Sequence, residues 1–229
     1  RLIEPDGSFS QYSLNYHRVM LDTYAMAELW RRQLGLPPFS QVLITRLQGA
    51  TAWLGNMVSP DGTDTPNLGA NDGARLLPLA DSDYRDVRPS VQLASVLFSG
   101  VRAFEEDGSW NQPLQWLKVS PPGITRNYSC SRQYDNGGFA ILRGGAAMLL
   151  FRYPRFRFRP GQSDLLHVDF WLGEANLLRD AGSYSYNCEE PWQSYFPSSA
   201  AHNTVQFDGR DAMPRLSRFL FGAWPKAYN

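Results

Sequence analysis

The sequence predicts an α+β protein whose helices and strands occupy separate parts of the chain. Before Trp116, apolar residues recur at helical spacing, whereas after Gly123 short runs of β-favouring residues alternate with turns. Between these parts lies a Pro-Pro-Gly sequence at residues 121–123, which favours neither helix nor strand. We therefore predict two domains, a helical one over residues 1–120 and an antiparallel β-rich one over residues 121–229.

Three helices are predicted in the first part, over residues 11–34, residues 40–57 and residues 90–104. A long loop, residues 58–75, separates the second helix from the third and is rich in Gly, Asn, Asp and Pro. Loops of that length are usually functional or disordered. Helices joined in this way are typical of a helical toroid or bundle.

The clearest strands in the second part cover residues 139–143, residues 147–153 and residues 165–172, and Asp-Asn-Gly-Gly at residues 135–138 predicts a hairpin turn. Residues 151–160 alternate aromatic residues with arginines. On a strand, Phe156 and Phe158 would face the core. The arginines at positions 155, 157 and 159 would then face the other side. A solvated face is the preferred interpretation. The alternative is a ridge for an acidic polymer, because arginine binds carboxylate and sulfate in a forked geometry.

Composition excludes several classes of protein. Lys plus Arg and Asp plus Glu each number 22, so no overall field attracts nucleic acid or another polyanion. No apolar run is long enough to predict a membrane span. Cys130 and Cys188 form no metal or redox motif, and we expect free, buried thiols, with a disulfide as the alternative. The chain starts at Arg1 without a signal-like segment, so we expect a fragment of a longer protein.

The stretch over residues 166–205 concentrates side chains that transfer protons or bind metals. It contains His167 and His202, two of the three histidines in the chain. Asp169 lies two residues after His167, so both would project from the same face of a strand. Asp180 follows an apolar run at a predicted strand end, and His202 precedes another predicted strand. If these strands are neighbours, the two aspartates and His202 converge, with His167 beside them to move a proton.

The sequence HVDFWLGEANLLRDAGSYSY, followed by SSAAHNTVQFDG, resembles the heparinase II/III family of polysaccharide lyases. The resemblance implies the C-terminal part of an (α/α) toroid followed by an antiparallel β-sandwich domain that is truncated here. It implies that His167 is catalytic and that Asp169, Asp180 and His202 hold a structural divalent metal. Asp180 and His202 match the zinc-binding form of the family, whereas Asp169 stands where that form has a histidine. Zinc is expected first, with calcium and manganese as alternatives. A hydrogen-bonded cluster without metal is the other interpretation.

A second group of candidate functional residues lies in the segment SLNYH of the first predicted helix. Seen alone, Tyr16 and His17 would be packing or surface residues. The resemblance implies that Tyr16 lies in the toroid cleft as a proton donor and that His17 binds substrate beside it. The long loop resembles the family's Gly- and Asp-rich cleft loop, so Asp72 and Arg75 are predicted to bind substrate, although a plain solvated loop fits equally well. Tyr184 is also predicted to bind substrate.

Together these resemblances imply a periplasmic or secreted bacterial lyase that cleaves a uronic-acid polysaccharide by β-elimination. That reaction needs a group that neutralises the carboxylate charge, a base, and an acid for the departing oxygen. Tyr16 is predicted as the acid, and as a candidate base, with His167 as its partner. The alternatives are a catalytically silent carbohydrate-binding or exopolysaccharide-assembly protein, a glycoside hydrolase with two carboxylates, and a metallohydrolase. Nothing indicates nucleic-acid binding.

Overall fold

The computed structural model describes residues 1–228, with helices in the first half and strands in the second. The α-helices are α1 (Leu14–Gln33), α2 (Gln41–Asn56), α3 (Arg88–Ser99), α4 (Gln112–Trp116) and α5 (Trp192–Tyr195), and 3-10 turns cover Ser109–Asn111 and Ser199–Ala201. The strands are β1 (Arg132–Tyr134), β2 (Phe139–Gly144), β3 (Ala147–Arg152), β4 (Val168–Leu172), β5 (Ala175–Leu178), β6 (Arg215–Ser217) and β7 (Leu220–Phe221). The predicted α+β class is confirmed.

The helix ends follow from capping residues. The Ser13 side chain accepts a hydrogen bond from the Tyr16 amide and starts α1, and Ser40 caps α2 in the same way through the Leu43 amide. Helix α3 ends at Gly100, which takes a left-handed conformation with φ of 66°. The third helix is therefore five residues shorter at its end than predicted, because a glycine at that position terminates a helix. The short helix α4 is not predicted.

Strands β1 to β5 form one antiparallel sheet in sequence order, and β6 and β7 form a separate two-stranded sheet. In the large sheet Ile141 lies opposite Leu150, and Met148 lies opposite Trp171, and all four side chains are buried. Within residues 1–228, these are the two sheets of the β-rich half. The predicted hairpin turn joins β1 to β2.

Two predicted strands are wrong. Residues 153–160 leave the sheet after β3, since the amides of Arg157 and Phe158 donate to the Tyr12 hydroxyl at 2.8 and 3.1 Å and not to a neighbouring strand. Phe156 is nevertheless buried and Arg157 is exposed, where it pairs with Glu4 at 3.1 Å. Residues 203–205 form no strand, because a 3-10 turn precedes them and only Asn203 bonds to the start of β4.

The helices and the large sheet share one hydrophobic core. Trp53 of α2 packs edge-on against Phe139 of β2, with ring centroids 5.3 Å apart, and against Tyr134 of β1 at 6.3 Å. Both cysteines are unpaired, but Cys130 is exposed and Cys188 is half-buried, so the expectation of buried thiols is wrong. Cys130 lies in the open connection before β1, outside this core.

No helix formed by residues 1–228 combines the length and the apolar character needed to cross a membrane.

The segment before α1 joins the two halves of the molecule. Asp6 accepts hydrogen bonds from the amides of Asn136 and Gly137 in the β1–β2 turn, at 2.8 and 3.3 Å. The next residue, Gly7, has φ of 94° and lies against Gly49 of α2, where an added Cβ would be 2.2 Å from the Gly49 carbonyl carbon. Only glycine fits this position, because both the conformation and the close approach exclude a side chain.

Replacing Gly7 with alanine should therefore destabilise the protein strongly, by about 3 kcal/mol or more, since backbone atoms of α2 must move. Gly35→Ala is the matched control, because Gly35 also has positive φ (62°) but an added Cβ meets nothing within 4 Å. The control should cost only about 1 kcal/mol of left-handed strain. Urea unfolding measures both, and equal losses in the two variants would contradict the close approach at Gly49.

Candidate functional site

A polar cleft of about 580 Å³, open to solvent, lies between the loop that follows α2 and the segment that follows β5. Its lining comes from these two segments: Asn67, Asn71, Asp72, Gly73, Tyr84, Arg85, Arg179, Ala181, Ser183, Tyr184, Ser185, Tyr186 and Asn187. The loop is held in place where the Ser183 hydroxyl accepts the Asn71 amide at 3.1 Å. The cleft is thus formed jointly by the helical and the β-rich halves.

Tyr16, in the first turn of α1, is not itself a lining residue of the cleft, but it contacts two residues that are. Its hydroxyl lies 3.4 Å from the Tyr186 hydroxyl and also hydrogen-bonds the Asp72 carboxylate. Burial raises the pKa of Tyr16 far above its usual value, and the hydrogen bonds to Tyr186 and Asp72 raise the pKa further. The phenol is therefore neutral at physiological pH, so it can donate a proton but is a poor base.

The other predicted substrate-binding residues differ in position. Asp72 and Tyr184 both line the cleft, and Tyr184 is 72% exposed with its ring stacked on Phe196 at 5.3 Å. Arg75 is not among the lining residues, because its guanidinium donates to the carbonyl and the hydroxyl of Ser82 at 3.3 and 3.2 Å. It orders the loop and does not face the cleft.

Sequence reasoning did not single out three cleft residues, Tyr84, Arg85 and Arg179. The Tyr84 hydroxyl donates to Asn71 at 2.7 Å, and Arg85 pairs with Asp64 at 2.6 Å, so both already have partners. Arg179 is exposed and forms no ion pair with any carboxylate in residues 1–228. Its position directly before Asp180 is the only sequence signal that pointed to it.

A buried cluster contains His167 and Asp169 at the start of β4, Asp180 after β5, and His202. The Nε2 atom of His167 is 3.6 Å from Asp180 Oδ2 and 4.0 Å from Asp169 Oδ2, and His202 Nε2 is 3.8 Å from Asp180 Oδ2. All four side chains are 0% exposed. The structure thus brings the four residues together, but none of them lines the cleft.

The two imidazoles in this cluster have opposite tautomers. His167 Nδ1 accepts the Asn203 amide at 3.1 Å, so the proton of the neutral ring is on Nε2. His202 Nδ1 contacts the Ser198 carbonyl at 2.7 Å and must donate, which leaves a lone pair on Nε2. Burial lowers the pKa of His167 to about 4 and raises the pKa of Asp169 and of Asp180 to about 6.

The donor set suits a divalent ion in its chemistry, and its spacing is wider than a bound ion would leave. Asp180 Oδ2 and His202 Nε2 are buried without a hydrogen-bond partner, and a metal would satisfy both. Ligand atoms around tetrahedral zinc lie roughly 3.3 Å apart, whereas these two atoms lie 3.8 Å apart. Within residues 1–228, no three His, Cys, Asp or Glu side chains are arranged so that they could hold a metal ion.

His17 lies in the core and not in the cleft, which corrects its prediction as a substrate-binding residue. Its ring is stacked on Trp53 at 4.5 Å, and its Nε2 bonds the Ala50 carbonyl at 2.8 Å. The side chain is fully buried, so a substrate in the cleft cannot contact it. Burial lowers the pKa of His17 to about 4.

This burial predicts a pH dependence of stability. The folded pKa of His17 lies below the ordinary value of 6.5, so its stabilisation is complete above pH 6.5 and is lost as pH falls toward 4. The loss should reach roughly 3 kcal/mol, because the unfolded chain binds a proton that the folded chain excludes. Asp22 has the opposite effect, since burial raises its pKa to about 6 and stability is lost as pH rises through that value.

The difference in unfolding free energy between wild type and His17→Gln isolates the contribution of His17, because Asp22 and the buried cluster are common to both proteins. Urea unfolding at several pH values should show that the wild type loses stability relative to the variant between pH 6.5 and 4. Parallel curves for the two proteins would show that the ring is not excluded from protonation.

Comparisons with known proteins agree with this architecture. Residues 127–228 match the family model described as heparinase II/III-like, C-terminal. A heparan sulfate lyase HepC mutant from Pedobacter heparinus is 18% identical, with a TM-score of 0.65 over 93% of this chain and 31% of that chain. A heparinase III gene product is 17% identical, with a TM-score of 0.64 over 91% of this chain and 31% of that one. Among curated proteins, none matches this chain.

The solved structures share the fold, and this chain spans about a third of their length. The β-rich part carries the family match in sequence as well. Residues 127–228 therefore resemble the C-terminal domain of heparinase II/III-like proteins, and the predicted resemblance of the chain to that family is confirmed.

Proposed function

We propose that the protein is a polysaccharide lyase that cleaves a uronic-acid-containing polymer by β-elimination, in the periplasm or after secretion. The observation that carries this proposal is the contact of the Tyr16 hydroxyl with Tyr186 and Asp72, two residues that line an open polar cleft. The family match and the heparan sulfate lyase of similar fold support the same reaction class.

In the proposed reaction, Tyr16 gives its proton to the glycosidic oxygen as the bond to that oxygen breaks. Its raised pKa keeps the proton in place until negative charge develops on the departing oxygen. Arg179 supplies the cation against the uronate carboxylate, because it is the cleft arginine that no carboxylate of the described residues neutralises. A neutralised carboxylate makes the neighbouring carbon-bound proton more acidic.

The base is assigned to Asp72, since it is the only carboxylate among the described residues that line the cleft and it is hydrogen-bonded to Tyr16. The sequence predicts His167 as the partner base. In the structure, however, the His167 ring is fully buried, and its Nδ1 is occupied by the Asn203 amide. We therefore assign His167 a positioning role in the wall beneath the cleft.

Two of the alternative reactions lack the groups they need. A glycoside hydrolase uses two carboxylates across the scissile bond, and the described residues that line the cleft include only Asp72. A metallohydrolase needs substrate access to its metal, and the His167 cluster has no exposed side chain. The burial of the His167 cluster also favours one further candidate function, that of a catalytically silent carbohydrate-binding protein of the same fold.

We also propose that Asp169, Asp180 and His202 move closer together than their present spacing to hold a structural divalent ion, with zinc preferred over calcium or manganese. The support is the unpartnered Asp180 Oδ2 and the free Nε2 lone pair of His202, both buried. A bound ion would neutralise the two carboxylates and fix the strand end after β5. The cleft residues Ser183 to Tyr186 follow directly, so the ion would act on the site through the backbone alone.

Tyr16→Phe should lower the rate of unsaturated-product formation from a uronic-acid polymer by at least about 100-fold, because the proton donor is lost. Tyr24→Phe is the matched control, since it removes a hydroxyl from the same helix at a position that does not line the cleft. The control should keep wild-type activity. Ultraviolet absorbance of the product measures both variants of the intact protein.

Retained activity in Tyr16→Phe would remove Tyr16 as the acid. Tight binding of the polymer by the wild type without any product would replace the lyase proposal by the silent carbohydrate-binding protein.

Purified protein should contain about one equivalent of divalent metal per chain, and His202→Ala should lose it together with several degrees of melting temperature. Elemental analysis and thermal unfolding measure the two effects without any activity assay. Metal-free wild-type protein with an unchanged melting temperature after metal addition would favour the hydrogen-bonded cluster.

A further inference from the structure

A buried arginine joins α1 to the loop that carries Asp72. Arg18 lies two residues after Tyr16 on α1 and is only 3% exposed. Its Nη1 donates to the Tyr84 carbonyl, and its Nη2 donates to the Ala74 carbonyl at 3.1 Å. Both carbonyls belong to the connection between α2 and α3, which we call the cleft loop. One guanidinium group therefore ties two separate points of this loop to the helix that carries the proposed acid.

The first of these ties leads to Asp72 through Ala74. The Ala74 amide donates to Asp72 Oδ1 at 3.0 Å, while the carbonyl of the same residue accepts a hydrogen bond from Arg18. The Asp72 carboxylate is also hydrogen-bonded to the Tyr16 hydroxyl. Two residues of one helix therefore hold the same short segment, the arginine through its backbone and the tyrosine through its carboxylate.

The second tie leads to the same segment through Tyr84. The Arg18 guanidinium lies over the Tyr84 ring, 4.6 Å from its centroid, in a cation–π contact. The Tyr84 hydroxyl donates to Asn71 Oδ1 at 2.7 Å, and Asn71 directly precedes Asp72. The same oxygen accepts the Gly73 amide at 2.9 Å. The residues on both sides of Asp72 are thus fixed by an aromatic side chain that Arg18 holds.

The burial of Arg18 is costly, because the groups that it hydrogen-bonds are neutral. Besides the two carbonyls, its Nη2 donates to the Asn15 side chain at 2.6 Å. Burial lowers the pKa of Arg18, and it raises the pKa of the nearby Asp22 to about 6. An apolar side chain would fill this space at a lower cost in desolvation. It could not bond two carbonyls of the cleft loop at once, so the loop geometry accounts for the arginine.

We propose that Arg18 is a positioning residue that holds the Asp72 carboxylate against the Tyr16 hydroxyl. Arg18 is not among the residues that line the cleft, so it acts only through Ala74 and Tyr84. The inference rests on the proposed function for the roles of Asp72 as base and Tyr16 as acid. It adds that a buried group on α1 sets the alignment of the two.

Hydrogen–deuterium exchange of the intact protein tests this arrangement without an activity assay. Arg18→Lys keeps the positive charge, but a single ammonium group cannot reproduce the contacts that the guanidinium fork makes on two sides. The Ala74 amide is protected by its hydrogen bond to Asp72. Its exchange should become at least about tenfold faster in Arg18→Lys, because the loop opens more often.

Arg31→Lys is the matched control, because Arg31 lies on the same helix and its guanidinium bonds Glu28 and Leu36, both outside the cleft loop. Its exchange should match that of the wild type. Tyr84→Phe is a second variant with less risk to folding, since it removes only the hydroxyl that bonds Asn71 and keeps the ring. It should also accelerate exchange in the segment around Asp72.

Kinetics on a uronic-acid polymer distinguish positioning from a purely structural role. Arg18→Lys and Tyr84→Phe should each lower kcat about tenfold and change KM by less than about twofold, because only the alignment of acid and base is disturbed. Burial raises the pKa of Tyr16 far above its ordinary value, and the hydrogen bond to Asp72 raises the pKa further. The acid acts only while protonated, so kcat of both variants should decline at a lower pH than kcat of the wild type.

Unchanged exchange of the Ala74 amide in Arg18→Lys would overturn the inference, whether or not the protein is a lyase. If that variant does not fold, unchanged exchange in Tyr84→Phe has the same consequence. Faster exchange with an unchanged kcat and pH profile would also overturn it, because the arginine would then order the loop without aligning the pair. A wild type that forms no product removes the proposed function instead, and exchange at Ala74 still decides whether Arg18 fixes the Asp72 carboxylate.

Discussion

The position of Tyr16 depends on how α1 is seated on the core. His17, the next residue, is buried against Trp53, and Trp53 in turn packs against Phe139 of the sheet. Successive residues on an α-helix project about 100° apart, so a histidine fixed in the core turns Tyr16 toward the cleft. The stack of His17 on Trp53 therefore sets the direction of Tyr16, the proposed proton donor, from a position inside the core.

The second constraint is the buried polar cluster at the end of β5. Removing two carboxylates and two imidazoles from water is costly, and the hydrogen bonds from Trp171 to Asp169 and from Asp180 to Asp169, at 2.6 and 3.2 Å, offset only part of that cost. A rigid cluster at this place holds the start of the segment that forms one wall of the cleft. The buried polar cluster thus influences the geometry of the cleft through the backbone that follows Asp180.

Much of the fold follows from local signals in the sequence. The bounds of α1 and α2 lie within three residues of those predicted, because Ser13 and Ser40 cap them and Gly and Pro follow. The meander β2 to β4 follows from β-favouring runs, and the turn at residues 135–138 joins β1 to β2. Residues 153–160 were misassigned because the aromatic and arginine alternation is periodic like a strand, whereas a tertiary contact to the Tyr12 hydroxyl takes their amides.

The site was less accessible to sequence reasoning. The convergence of His167, Asp169, Asp180 and His202 follows from strand spacing and resemblance, but their complete burial is a tertiary property. The core position of His17 and the cleft positions of Tyr84 and Arg179 depend on contacts between segments far apart in the chain, which no local pattern encodes.

The central claim is that the cleft eliminates across a glycosidic bond and does not hydrolyse it. The most direct measurement is ultraviolet absorbance of the intact protein incubated with a panel of uronic-acid polymers, with reducing ends counted in parallel. Elimination predicts that absorbance from a conjugated double bond grows in step with the new reducing ends on at least one polymer. New reducing ends without that absorbance would contradict the account.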